Sequence, residues 1–213
     1  MQNSELTDAR IARIHEVAER RQHDLTVFME RVHKPHNVAA IIRTCDAVGI
    51  ASTHAVPGDD GISRSNHIAQ GAQRWVQLHR HTDSTSGLSA LKAKGFKLYA
   101  AHFDESAVDF RTIDFTKPSA IVLGTEKFGV SEEALALCDQ SIIIPMLGMT
   151  QSLNVSVATA VILYEAQRQR AESGQYDNPD PPTRQLNESL ATAWIEREIA
   201  RRHRQPLPEI TVD

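Results

Sequence analysis

Little in this 213-residue chain could crosslink it, hold it in a membrane or mark a common nucleotide fold. It has two cysteines, Cys45 and Cys138, in no CxxC pair and at no His/Cys ligand spacing. Neither a disulfide framework nor a zinc site is expected, and no metal is called for elsewhere. Both thiols read as buried or half-buried groups. No apolar run approaches the roughly 18 residues of a membrane span. The first 21 residues are charged throughout and lack the apolar stretch of a secretion signal, so the expected location is cytoplasmic. GxGxxG is absent after the first expected strand, where His33-Lys-Pro-His-Asn37 stands instead, and GxxxxGK[ST] is absent altogether. That argues against a dinucleotide enzyme, a P-loop enzyme and a Rossmann-type methyltransferase. There is no excess of basic charge either, the net charge being −4. Any nucleic-acid contact must therefore come from a local patch.

The composition that remains, 41% hydrophobic and 23% charged, is that of a globular chain with one full domain and short extensions. Leu6, Ile11, Ile14, Val17 and Ala18 recur at helical spacing within 5–22. Strands are expected at 25–32, 51–56, 75–78, 96–102, 119–123 and 141–144. Helices are expected at 37–48, 65–70, 85–94, from Ser131, and over 152–170. Strands alternating with helices predict a parallel α/β sheet. Residues 173–184, rich in Pro, Gly and Asp, read as a linker, and 186–203 as a second amphipathic helix. The expected organisation is an N-terminal helical extension over 1–22, a central domain over 23–172, and a linker with a C-terminal helix over 173–213.

Two late strands run directly into loops containing glycine, Gly124-Thr-Glu-Lys-Phe-Gly129 and Pro145-Met-Leu-Gly-Met-Thr-Gln-Ser152. Loops at the carboxyl ends of parallel strands are where open α/β sheets hold ligands. Gly124, Gly129 and Gly148 would let backbone approach a ligand closely, or would simply serve turns. Arg43 sits among Ile41, Ile42, Ala47 and Val48, either as an exposed arginine on a polar face or aimed at a phosphate. Asn37, at the expected helix start, reads as an N-cap, and so does Ser152. Asn154 and Ser156, in an apolar helix, are less readily explained as caps. The ten histidines show no metal-ligand spacing.

The residues Asn37-Val-Ala-Ala-Ile-Ile-Arg43-Thr-Cys-Asp-Ala-Val-Gly49 resemble the first motif of the SpoU/TrmH family of RNA ribose methyltransferases. Leu123-Gly-Thr-Glu126-Lys-Phe-Gly-Val resembles the second. Ile144-Pro-Met-Leu-Gly-Met-Thr-Gln-Ser152-Leu-Asn154-Val-Ser-Val-Ala resembles the third. The three stand in order and span most of 32–168. VHKPHN, AVDFRTIDFT and YEAQRQR are closer still to family members that methylate guanosine 18 in the tRNA D-loop.

The resemblance implies a parallel-sheet SPOUT fold with a C-terminal deep trefoil knot. It implies S-adenosylmethionine as methyl donor, bound largely by backbone around Ala101, Leu123, Gly124, Ile144, Met149, Ser152 and Leu153. It implies a homodimer whose active site is completed across the interface. Arg43 would act on the ribose 2′-hydroxyl with help from an RNA phosphate, or orient it; Asn37, Glu126 and Asn154 would support it. Arg20, Arg21, Arg64, Arg74, Arg80, Arg201, Arg202 and Arg204 are the candidates for tRNA phosphate contacts. The function expected is 2′-O-methylation of guanosine 18 in tRNA. The alternatives are a ribose at another tRNA site or in ribosomal RNA, and an RNA-binding protein that keeps the fold without the catalysis.

Overall fold

A computed structural model describes residues 6–57, 74–125, 128–208 and 210. The chain divides into two compact units, one of Met1–Gln22 with Gly174–Asp213 and the other of His23–Ser173. The helix expected over 65–70 lies outside the described residues.

Among its described residues the larger unit carries seven strands: β1 (Leu25–Glu30), β2 (Ser52–Val56), β3 (Gln77–Arg80), β4 (Lys97–Ala101), β5 (Val108–Asp109), β6 (Ser119–Leu123) and β7 (Gln140–Ile143). All pair in parallel, in the order β3-β2-β1-β6-β4-β7-β5. Strand alternation sends Leu25, Val27, Met29, Ile121 and Leu123 to one face. There they pack against α2 (Pro35–Ala47) and α5 (Val155–Glu172) through Val38, Ile41, Ile42, Ile162, Leu163 and Ala166. Phe28, Leu98, Ala100, Ala120 and Val122 face the other way. Leu88 and Leu91 of α3 (Ser84–Ala93) and Ala134 of the short α4 (Glu132–Leu135) cover them. The sheet is thus buried on both sides, as parallel sheets require.

Helix starts differ from the sequence reading in instructive ways. The α2 helix begins at Pro35, whose missing N–H costs nothing at a first position. Asn37 is therefore inside the helix and buried, and it is not the N-cap. The α5 helix begins three residues later than expected because Asn154, not Ser152, caps it, accepting from the Ser156 N–H at 2.9 Å. The short β5 strand, inside AVDFRTIDFT, is an element that the sequence pattern does not mark.

In the smaller unit α1 (Asp8–Ala18) packs on α6 (Pro181–Arg202) through Ile14, Ala18, Leu190, Ala191 and Trp194. The α6 helix starts well before Leu186, with Asp180 as N-cap and prolines in its first turn, so part of the expected linker is helical. Asn187 donates to the Glu19 carbonyl at 2.9 Å, and Arg10 pairs with Glu198 at 3.3 Å. Cys45 is fully buried, and burial pushes the Cys138 thiol up to about 12.

Candidate active site

The sheet order makes β6, β4 and β7 adjacent, so their carboxyl ends open side by side. A cleft of about 620 Å³ lies there. It is lined by the strand ends and the chain leaving them: Ala101 of β4 with His102 and Phe103, Leu123 of β6 with Gly124 and Thr125, and Ile142 and Ile143 of β7 with Ile144 to Met146. Its far wall is Gln151 to Val155 with Ala158 and Ile162 of α5. Of the residues expected to hold the methyl donor, Ala101, Leu123, Gly124, Ile144, Ser152 and Leu153 line this cleft. Met149 does not line it; its side chain is fully exposed on the loop above, beside an equally exposed Leu147.

Two features make the second-motif loop tight. Thr125 and Gly129 exchange backbone hydrogen bonds of 2.9 Å in each direction. A Cβ on Gly124 would lie 2.0 Å from the Gly129 carbonyl, so the two limbs of the loop touch backbone to backbone. Gly129 itself has φ +70°, a conformation side chains rarely adopt. Gly148 has open space around its Cβ position, so no close approach is required there.

The third motif meets the first through Asn154. Its Nδ2 donates to Asn37 Oδ1 at 3.3 Å, while its Oδ1 accepts from the N–H and hydroxyl of Ser156 at 2.9 and 2.6 Å. One side chain thus caps α5 and ties it to α2. Arg43 lies on the exposed side of α2 and does not line the cleft of its own chain. Glu126 lies outside the described residues, as does Arg64.

The candidate phosphate contacts divide sharply. Arg20, Arg74, Arg80, Arg202 and Arg204 are exposed. Arg201 is partly exposed and pairs with Glu198 at 2.9 Å. Arg21 is a correction: it is buried, with its guanidinium 5.0 Å from the centre of the Trp194 ring. Its charge is engaged in a cation–π contact inside the smaller unit and is not presented to a phosphate. Lys34, His102, Phe103 and Thr125 line the cleft yet were not singled out from the sequence. For His102 and Phe103 the missing signal was strand order, since no sequence pattern placed β4 between β6 and β7. Among the described residues no group of His, Cys, Asp and Glu could hold a metal ion.

The fold is thus that of an open parallel α/β protein, with a cleft of mixed polar and apolar lining at the carboxyl edge of its sheet, the place where such sheets hold ligands. The chain belongs to the SpoU rRNA Methylase family, whose model matches residues 24–164. It is 53% identical over 195 residues to the tRNA (guanosine(18)-2'-O)-methyltransferase of Thermus thermophilus, covering 91% of this chain and 99% of that one. The fold matches the A. aeolicus TrmH/SpoU tRNA modifying enzyme with a TM-score of 0.77 at 41% identity, covering 87% and 96% of the two chains. It also matches the SpoU methyltransferase AviRb of Streptomyces viridochromogenes in complex with AdoMet, with a TM-score of 0.60 at 29% identity, covering 70% of this chain and 59% of that one.

Proposed function

We propose that this chain is a tRNA (guanosine(18)-2'-O)-methyltransferase, transferring a methyl group from S-adenosylmethionine to the ribose 2′-oxygen of guanosine 18. The observation that carries this reading is 53% identity to a named enzyme of that activity along nearly the whole of both chains. The cleft suits the methyl donor: its volume is that of a small-molecule site, its lining mixes apolar side chains with polar groups, and residues at three strand ends border it. Ala101, Leu123, Gly124, Ile144, Ser152 and Leu153 would hold the donor. Bound there, S-adenosylmethionine supplies a methyl carbon made electrophilic by its sulfonium.

The remaining chemistry belongs to side chains. A ribose hydroxyl must be held in line with that methyl, and its proton must leave as the new C–O bond forms. Arg43, with its planar fork, holds the hydroxyl together with a neighbouring RNA phosphate. Asn37 and Asn154 fix α2 relative to α5, and so set where Arg43 stands. Glu126 completes the setting from the second motif.

Arg43 lies off its own cleft, which fits an active site shared by two copies. Val157, Val161 and Tyr164, at helical spacing along the first half of α5, are exposed, as is Leu153 just before it, and they suit a homodimer interface. The central domain, 23–172, carries the SPOUT fold, a reading that the match to the A. aeolicus TrmH/SpoU structure supports, and with it the C-terminal trefoil knot that the family resemblance implies. The terminal segments 1–22 and 173–213 are tRNA-binding extensions bearing Arg20, Arg201, Arg202 and Arg204, with Arg74 a further contact. No described helix is long and apolar enough to cross a membrane, and the proposed location is the cytoplasm, with tRNA.

The test is incubation of the purified protein with methyl-labelled S-adenosylmethionine and separated tRNA and ribosomal RNA. Label should enter tRNA at a single alkali-resistant linkage after guanosine 18, and a tRNA carrying 2′-deoxyguanosine there should take none. Label confined to ribosomal RNA, or absent from both pools, overturns the reading.

A further inference from the structure

Glu30 is the last residue of β1 and is almost fully buried. A buried carboxyl group needs partners, and three donors converge on it. The Ser84 hydroxyl at the start of α3 donates to Oε1 at 2.7 Å. The Ser131 hydroxyl donates to the same oxygen at 2.6 Å, and the Ser131 backbone N–H donates to Oε2 at 2.8 Å. Ser131 is also the N-cap of α4, accepting from the Ala134 N–H at 3.3 Å. The carboxyl group thus sits where two helices begin, an orientation in which helix dipoles favour negative charge.

The location gives the cluster its meaning. In the sheet Met29 pairs with Leu123, so Glu30 lies level with Gly124, where the chain leaves β6 for the second motif. That loop turns back on itself through the Thr125–Gly129 bonds, passes through buried Val130, and reaches Ser131. Gly124, Thr125 and Gly129 all line the cleft. On the other side Glu30 is followed by Arg31, whose φ of +52° is in the left-handed region that favours glycine. That sharp exit from β1 leads into α2, which bears Asn37 and Arg43. One carboxyl group therefore stands between the chain leading to the first motif and the return limb of the second.

We propose that Glu30 is a positioning residue for methyl transfer, holding the return limb of the second-motif loop through Ser131 so that Gly124, Thr125 and Gly129 keep their place at the cleft. It touches neither donor nor RNA and acts through the loop. The inference rests on the function proposed above.

Three variants separate position from charge and from bulk stability. Glu30→Ala removes the acceptor of the part-buried Ser131 N–H and of the Ser84 and Ser131 hydroxyls. Glu30→Asp keeps the charge but withdraws the carboxyl group by about one C–C bond, roughly 1.5 Å. Glu30→Gln keeps the reach; its carbonyl accepts from the Ser131 N–H, and its amide donates to the two hydroxyls. Each is compared with the wild type by thermal unfolding, by hydrogen exchange of the Gly129 and Ser131 amides, and by single-turnover methylation of tRNA at saturating S-adenosylmethionine. Positioning requires the rate to fall about 10- to 100-fold in Glu30→Ala and about 10-fold in Glu30→Asp, with Glu30→Gln within about threefold of wild type. Loop amides should lose protection in that same order while Val27 and Val122 keep theirs. Glu30→Asp retaining the rate better than Glu30→Gln overturns the proposal in favour of a charge role. Wild-type rates in folded Glu30→Asp and Glu30→Ala, with only the melting temperature lowered, overturn it in favour of a structural role. If Glu30→Ala does not fold, the order of the other two decides. Absence of methylation by the wild type would refute the proposed function alone, since the exchange experiment still reads whether Glu30 holds the loop.

Discussion

The two ends of the same sheet are built on opposite principles. At the amino end the chain is tied down by side chains. Arg170, near the end of α5 and with no exposed surface, donates to the Phe115 carbonyl at 2.8 Å, the Lys117 carbonyl at 3.1 Å and the Asp24 carboxylate at 2.5 Å. Its neighbour Gln169 accepts from the Phe115 N–H and donates to the Ile113 carbonyl. Asp139 accepts from the Leu98 N–H at 2.8 Å, joining the start of β7 to that of β4. At the carboxyl end the strands open into a cleft, and Phe103, Phe128, Leu147 and Met149 stand exposed in the loops around or beside it. Side-chain hydrogen bonds close the approaches to β1, β4, β6 and β7 at the amino end, whereas at the carboxyl end the ties made by Glu30 and Asn154 flank strand ends that stay open as the cleft. Stability and binding are thus assigned to different ends of the same strands.

The largest effect should come from breaking the closed end. Arg170→Ala strands the Asp24 carboxylate and the Phe115 and Lys117 carbonyls, and should cost about 3–5 kcal/mol in denaturant unfolding. Below its transition the variant should still transfer methyl groups at close to the wild-type rate per folded molecule. A loss of activity without a loss of stability would erase the contrast between the ends.

Next in size is the converse variant. Arg43→Ala, exposed on α2, should leave unfolding within about 0.5 kcal/mol of wild type. It should nevertheless cut single-turnover methylation by about 100-fold or more, while S-adenosylmethionine still binds. Arg43→Lys should fare nearly as badly, because an ammonium lacks the planar fork. Normal methylation by Arg43→Ala would remove this residue from the chemistry.

The β2–β3 flank offers a third, smaller test. His54 Nδ1 lies 2.9 Å from His81 Nε2, and the rings of His54 and His79 stack at 4.9 Å. Burial, then the neighbouring His79 and His81, push the His54 pKa down to about 3. The unfolded chain protonates this ring near 6.5 and the folded chain near 3. The stability contribution is therefore complete above about pH 6.5 and declines as pH falls toward 3, by at most about 1.4 kcal/mol per pH unit for one proton. His54→Phe should flatten that part of the profile in unfolding experiments at a series of pH values. An unchanged slope would assign the acid sensitivity to other groups.

The smallest effect is expected at the open end. Leu147→Ser and Met149→Ser remove fully exposed side chains and should change unfolding by less than about 0.5 kcal/mol. Any change should appear in cofactor affinity instead. A destabilisation of about 2 kcal/mol by either would mean that this rim is packed after all.

These contrasts also show what could be read before the structure. Apolar runs such as Ser119–Leu123 located strands directly, because a strand buried on both faces writes its burial as continuous hydrophobicity. The cleft residues Gly124, Ser152 and Leu153 were accessible because motifs and strand ends coincide in sequence. Strand order was not, since pairing of β4 with both β6 and β7 is a long-range choice that leaves no local pattern. Arginine carries the same ambiguity: Arg21 under Trp194, Arg170 behind the sheet and Arg43 on the surface look alike as letters. Asn37 had a local explanation as a cap, which concealed that it bonds to Asn154 across 117 positions.

The two thiols have a practical corollary. Alkylation by maleimides requires an accessible thiolate, and Cys45 is sealed in the core while Cys138 would ionise only near pH 12. At neutral pH the native chain should therefore be almost inert to such dyes. The variant Met149→Cys would supply a single labelling position, and a fluorophore there would report the motion of the third-motif loop as S-adenosylmethionine and tRNA arrive, without a cysteine-free background having to be made first.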